Sequence, residues 1–469
     1  MKRRRIGYGI YMVLILGICL IPLLMAGRGQ SVRTAENRTP APWPELLSDG
    51  SFNWEYLQEA GAYFTDHFGF RQELVAADAW LRSSLFEVSP VESVIVGKNG
   101  WLYYEATLDD FQHNNGVSER MLFNMAHNVA LMQEYTQMLG KTFIFTVAPN
   151  KNSLYSENMP DRLKYRFADE SDMQRLKPWL EREGVNYVDL FSLFLIQNQV
   201  LYYARDSHWN QRGAVMVCNM LLEACGKPRG DWEESGYEVT KDYYGDLNRM
   251  LFPVGGRPEE EFRYKKDFTW SYSLGESVED NFIQTTCENG EQNLLLYRDS
   301  FGNSMLPYLA EAFSEATFSK QVPYPMTDLV TCSPDVVILE KVERHLPTLG
   351  QVPPLMSGLQ RTLDAEPVPV ESTATCTLTK EGSYWRLEGL ADGTYMDTDS
   401  RIWLEVEDGE ESRVFEAFCM GSSGESDDAD YGYLLYLSEI MLHGDSLQIR
   451  VMTEKEGEIL LLHEEKIGI

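Results

Sequence analysis

Hydrophobic and polar positions change their spacing several times along this chain, and each change predicts a different element. Residues 6–26, IGYGIYMVLILGICLIPLLMA, carry no charge and follow the cations Lys2, Arg3, Arg4 and Arg5. A run of that length spans a bilayer, and the cations before it hold the N-terminus in the cytoplasm. The expected arrangement is therefore a single signal anchor over residues 1–27, with the bulk of the chain extracytoplasmic. A signal peptide cut after Ala26 predicts the same exported location. Residues 28–51, ending in RTPAPWPELLSDG, are polar and punctuated by proline, which predicts an extended tether that does not pack.

From residue 52 the pattern turns globular. SVIVGKNGWLYY places branched and aromatic residues on either side of Lys98, Asn99 and Gly100, a tight-turn signal between two strands. Leu122, Met125, Val129, Met132 and Met138 then recur at helical spacing, and Gly140 ends the run. KTFIFTVAPN follows as a short apolar strand, DMQRLKPWLEREG as a helix and VNYVDL as another strand. Further on, QNLLLYRDSFGNSMLPYLAEAF repeats the unit, with a strand at Leu294 to Tyr297 and a helix from about Phe301, and PDVVILEKVER gives one more buried strand. This alternation predicts an α/β fold, a parallel sheet flanked by helices, over residues 52–367. From Val368 no long helical pattern remains. YWRLEGL, RIWLEVED, YLLYLSEI and SLQIRVMT are separated by Gly, Asp and Ser turns, which predicts a C-terminal β-sandwich accessory domain over residues 368–469 that folds on its own, with GSSGESDDAD as a solvated loop.

Composition narrows the function. The 469 residues are 43% hydrophobic and 12% aromatic, as a globular protein requires. A net charge of −31 excludes a nucleic-acid binder, because phosphate contacts need clustered Lys and Arg in excess. The 7 cysteines include no C-x-x-C pair, which argues against a zinc site.

Two strand-to-helix turns carry the candidate chemistry. In RDSHWN, Asp206 stands two residues before His208, close enough to accept the Nδ1–H and fix the imidazole tautomer. In LLLYRDSFGNS, Ser300 follows an apolar strand and opens a helix, where backbone N–H groups and the helix dipole favour negative charge. The amides of Ser300, Phe301 and Gly302 are the ones placed to hold an oxyanion. Each residue also has a purely structural reading, Ser300 as the N-cap of its own helix and Asp206 as the N-cap of the next one. Taken together the three supply a nucleophile, its base and the orienter of that base, on turns where α/β sheets place their sites. The remaining histidines stand alone, without the carboxylate clustering of a two-metal site, so no metal and no cofactor is expected.

These segments carry a resemblance. NRTPAPWPEL, VGKNGWLYY, VAPNKNSLY, DSHW, RDSF and VILEKVER stand in the order found in the SGNH-hydrolase-like proteins of alginate O-acetylation, the AlgX/AlgJ type, and in the related DHHW proteins. The resemblance spans roughly residues 38–350. It implies that Ser300 is the nucleophile, His208 the base and Asp206 its orienting acid, with Asp and His preceding Ser in the chain. It also implies a serine O-acyltransferase or esterase working on acetyl groups of an exported cell-surface polysaccharide, with acetyl supplied through a membrane-bound O-acyltransferase. The alternative is a catalytically silent binding or assembly protein of a polysaccharide export complex, which has no chemical reason to keep all three residues.

Further residues enter with two readings each. Asn150 and Lys151 end a strand on the same sheet edge and are placed either to donate to an oxyanion or to hold a loop. Trp209 either stacks on a sugar ring or faces the core. Arg298 replaces a small residue of the family pattern and is expected to narrow the site or to meet an anionic substrate. Arg344 has the position of a strand-end ion-pair partner, and the resemblance keeps it near the site.

Overall fold

The computed structural model describes residues 11–12, 15–17, 41–48, 51–67, 70–114, 116–409, 411–421 and 430–469. Most of the expected anchor, the tether up to residue 40 and nearly all of the GSSGESDDAD loop lie outside the described residues. No helix among the described residues is long and apolar enough to cross a membrane. The end of the expected tether does pack, because Trp43 meets Tyr56, Tyr63 and Phe64 edge to face, with centroids 6.4, 5.0 and 5.8 Å away. An aromatic ring gains more from such contacts than an extended tether gives it, which overrides the proline punctuation.

A seven-stranded sheet forms the centre. Across the sheet the order is Tyr187–Val188, Thr142–Ala148, Val336–Val342, Asn293–Tyr297, Glu315–Ser319, Phe282–Thr286 and Ser271–Leu274. The first five strands run parallel, Phe282–Thr286 runs antiparallel to them, and Ser271–Leu274 pairs antiparallel with Phe282–Thr286. Register is continuous across the middle: Tyr297 pairs with Leu339, and Val342 with Ala148. The segments that follow these strands, starting at Pro149, Arg298 and Glu343, therefore emerge at one edge.

Helices cover both faces. Gln211–Ala224 and Gly302–Ala312 close one apolar cluster with Ile144, Leu294, Leu296 and Ile338. Glu119–Met138 and Asp172–Arg182 close the other, with Phe143, Phe145, Leu295 and Val337. Glu119–Met138 is buried on nearly every side, its polar Asn124, His127 and Asn128 included. Its apolar stripe accounts for only one of those sides. The other lies against the C-terminal residues: Asn128 Nδ2 donates to Cys419 O at 2.8 Å, and Arg120 to Ser400 O at 2.6 Å.

The C-terminal residues form a six-stranded and a four-stranded sheet around a shared core that includes Leu387, Leu404, Phe415, Leu435 and Ile449. The six-stranded sheet already includes Leu359–Arg361, so the change of architecture comes before the expected residue 368. Phe418, Leu434 and Tyr436 belong to the same cluster as Leu122 and Met125 of the long helix. The two cores thus share side chains, which bears directly on the expectation of an independently folding tail. Cys218, Cys225, Cys287, Cys332, Cys376 and Cys419 are free thiols.

Candidate active site

The Asp206–His208 turn is held from three directions. The hairpin of Val94–Val96 and Leu102–Tyr104 abuts it through Leu102, whose N–H donates to Ala204 O at 2.8 Å. Lys151, buried behind the turn, donates from Nζ to Tyr203 O at 3.2 Å, Ala204 O at 3.1 Å and Asp206 O at 2.6 Å. The ammonium also lies over the rings of Trp101 and Tyr103. Burial pulls it down to about 8, against the pull of the Asp206 charge. Gly245 closes the third side. A Cβ there would stand 2.4 Å from Arg205 O and 2.7 Å from the Asp206 Cβ, so the approach needs glycine.

Within this frame the side chains line up. Ser300 Oγ is 2.8 Å from His208 Nε2, and His208 Nδ1 is 2.7 Å from Asp206 Oδ1. Asp206 is buried, while the His208 side chain keeps 24% of its exposure, so the serine end of the chain of bonds faces solvent and the carboxylate end does not. The backbone N–H of His208 also donates to Asp206 Oδ1, and Tyr243 OH and the Asp246 N–H both donate to Oδ2, each at 2.8 to 2.9 Å. Burial opposes the charge on Asp206, but His208 and these donors win and hold its carboxyl well below the usual range. For His208 burial likewise opposes charge, and Asp206 outweighs it, so the imidazole titrates above its ordinary value.

Two structural readings are thereby settled by geometry. The helix after His208 is capped by Asn210, whose Oδ1 accepts from the N–H groups of Arg212 and Gly213, which leaves Asp206 free for the imidazole. The helix after Ser300 begins at Gly302 without a side-chain cap, and the serine hydroxyl is on His208 instead. Asp299 braces that turn: its Oδ1 accepts from the Phe301 N–H at 2.9 Å and its Oδ2 from the Val342 N–H at 2.7 Å. Of the three amides expected to hold an oxyanion, that of Phe301 is therefore committed to Asp299. Those of Ser300 and Gly302 take no backbone acceptor among the described residues.

Several sequence-derived candidates are corrected. Trp209 is buried, donates from Nε1 to Ser304 Oγ at 2.6 Å and packs on Phe194 and Phe301, so it is a core residue and not a sugar platform. Arg298 is buried as well. Its guanidinium donates to Asn303 Oδ1, Val278 O and Asp280 O, and its stem is the surface on which Gly302 packs, so its donors are spent on clamping a loop. Asn150 spends its donors elsewhere, its N–H on Glu343 Oε2 and Nδ2 on Asp110 Oδ2. Lys151 holds the turn and has no hydrogen left for an oxyanion. Arg344 lies over the Tyr104 ring, 5.6 Å from its centroid, and pairs with no carboxylate among the described residues.

The sequence reading missed Tyr243, Asp246 and Glu259. Asp246 accepts from the N–H and the hydroxyl of Ser207 and stands 3.6 Å from His208 Nδ1. Glu259 accepts from the Ala204 and Arg205 N–H groups at 2.7 and 2.9 Å. Tyr243 ends the strand Tyr237–Tyr243, Asp246 opens the helix Asp246–Leu251 and Glu259 opens the strand Glu259–Tyr264, short elements whose sequence carries no motif that points to a site. Asp206, His208 and Asp246 offer ligand atoms within 4.8 Å of one another. The Asp206 oxygens already take four donors from the protein, which fills the lone pairs a metal would need.

Residues 94–301 match the family model described as SGNH hydrolase-like domain, acetyltransferase AlgX. No curated protein matches the chain in sequence. Similar solved structures include PatB1 of Bacillus cereus, with 14% identity over 54% of this chain and 96% of that one and a TM-score of 0.43. A DHHW family protein of Eubacterium siraeum has 14% identity over 55% and 95%, with a TM-score of 0.39. The O-acetyltransferase domain of Pseudomonas putida AlgJ has 17% identity over 54% and 92%, with a TM-score of 0.38. The matched range 94–301 contains the hairpin, the Asp206–His208 turn and Ser300, and over that range the chain is similar to this family model.

Proposed function

We propose that this chain is a membrane-anchored, extracytoplasmic serine O-acyltransferase or esterase acting on acetyl groups of an exported cell-surface polysaccharide. The observation that carries the chemistry is the unbroken line Ser300 Oγ, His208 Nε2, His208 Nδ1, Asp206 Oδ1, at 2.8 and 2.7 Å. Anchoring and export rest on the apolar run 6–26 with its preceding cations, and the acetyl chemistry on the family match.

In the first half-reaction Ser300 Oγ attacks the ester carbonyl as His208 Nε2 takes its proton, and Asp206 stabilises the imidazolium that forms. The Ser300 and Gly302 amides are the groups to receive the oxyanion. Collapse expels the donor alcohol with the proton from His208 and leaves acetyl-Ser300. In the second half a sugar hydroxyl, or water, attacks the acyl carbon while His208 removes its proton. Ser300 then leaves with that proton, giving an O-acetylated sugar or acetate.

The test is turnover of an activated acetyl ester by the full chain, with and without oligosaccharide acceptors, followed by mass analysis of the acceptor. Cleavage lost in Ser300→Ala supports the reading, and an acceptor gaining acetyl assigns transfer. Full activity in Ser300→Ala, or a wild-type chain inert to every ester, overturns it.

A further inference from the structure

A cavity of about 640 Å³ opens beside the segment Tyr203–Arg205, and four cations line it: Arg205, Arg212, Lys241 and Arg257. The nearby Arg229, Arg263 and Lys266 are paired with Glu223, Asp242 and Asp231. Among the described residues, none of the four cavity cations lies within ion-pair distance of a carboxylate or donates a side-chain hydrogen bond. Of the two acids on the wall, Glu259 has its carboxylate taken by the amides of Ala204 and Arg205. Burial, together with the charge of Arg257, pulls the Arg205 guanidinium down against the opposing pull of Glu259. Like charges gathered this way are unfavourable in the empty cavity and are relieved by an anion.

The frame is set in advance. Arg212 lies over the Phe262 ring, 5.0 Å from its centroid. The Arg257 N–H donates to Asn248 Oδ1 at 3.0 Å, and Gly256, with φ +83°, leaves no room for a Cβ against the Asn248 amide. Asn248 in turn donates its N–H to Arg205 O at 3.0 Å, so the two arginines are tied to one residue.

We propose that this cavity is a binding site for a phosphate ester of a sugar or polyol. A carboxylate is satisfied by one guanidinium fork, whereas a phosphate spreads its charge over several oxygens and matches several cations at once. The volume falls in the range of small-molecule sites and exceeds what the phosphate alone needs, so the group arrives on a larger body. The assignment does not depend on the role of Ser300.

Titration calorimetry on the full chain in mild detergent, with glucose 6-phosphate, inorganic phosphate, glucuronate and glucose as probes, tests it. Glucose 6-phosphate is expected to bind most tightly, with affinity falling as salt rises. In the double variant Arg257→Gln/Lys241→Gln, whose two side chains are exposed, affinity falls about tenfold or more at unchanged melting temperature. Ser300→Ala leaves binding unchanged. Inorganic phosphate or glucuronate binding as tightly as the ester, no binding of either phosphate probe at about 10 mM, or an unaltered affinity in the double variant overturns the assignment.

Discussion

Lys151 Nζ donates to the backbone carbonyl of Asp206 at 2.6 Å, so a buried cation from one strand end fixes the turn that carries the candidate base. In Lys151→Met three carbonyls lose their donor. Stability is expected to fall by about 1–3 kcal/mol. Turnover of an activated ester should drop about tenfold to a hundredfold with KM nearly constant, because the turn loosens around the serine without altering where substrate binds. Steady-state kinetics beside thermal melting separate the two effects. A change in KM alone would refute the positioning role.

Ser300→Ala should remove about three orders of magnitude of activity or more, with little change in melting, since the hydroxyl caps no helix. His208→Ala should match it. Asp206→Asn should in addition be measurably less stable, because Oδ2 accepts from both Tyr243 and Asp246 and an amide in that place turns one acceptor into a donor.

The pH profile follows from His208. Its raised value means that the neutral form needed as base appears only above the ordinary histidine range of about 6.5. The acidic limb of kcat/KM should therefore lie above that value. In Asp206→Asn, with the charge that raises it removed, the limb should move down. A limb unmoved by that substitution would show that another group is being titrated.

A second histidine ties the C-terminal sheets to the α/β domain. His127 is buried, with Nδ1 2.7 Å from Glu183 and Nε2 3.2 Å from Glu416, and Arg361 also pairs with Glu416. Burial opposes its charge but the two carboxylates outweigh it, so its value in the folded chain is raised. The stability this adds is complete below the unfolded value and is lost as pH rises through the folded one. The melting temperature should decline as pH rises above the ordinary histidine value of about 6.5, and His127→Gln should flatten that decline. Glu416, held at about 2, acts with the opposite sign, adding stability above its unfolded value that disappears only in strong acid.

Trp209→Ala should destabilise the chain by about 3–5 kcal/mol, as for a buried aromatic. Trp209→Phe, which keeps most of the packing, should leave KM for any oligosaccharide acceptor unchanged. An acceptor KM raised severalfold by the phenylalanine would return Trp209 to the site.

What the sequence determined by itself was local. Apolar spacing marked the strands Thr142–Ala148, Asn293–Tyr297 and Val336–Val342 and the long helix Glu119–Met138, because burial on a sheet or helix face leaves a period in the chain. Asp206 and His208 were legible as a pair because they are two residues apart, and Ser300 because a serine between strand and helix is conspicuous. Tertiary structure decided the rest. That Ser300 meets His208 across 92 positions depends on parallel register, which no single segment encodes. That Lys151, Arg298 and Trp209 are fasteners and not substrate contacts depends on burial, and a buried cation bonded to carbonyls looks in sequence like a free one. Tyr243, Asp246 and the cations around Arg205 come from separate elements, among them the strand Tyr237–Tyr243 and the helices Asp246–Leu251 and Gln211–Ala224, and their proximity is set by packing between elements, which leaves no periodic trace in the chain.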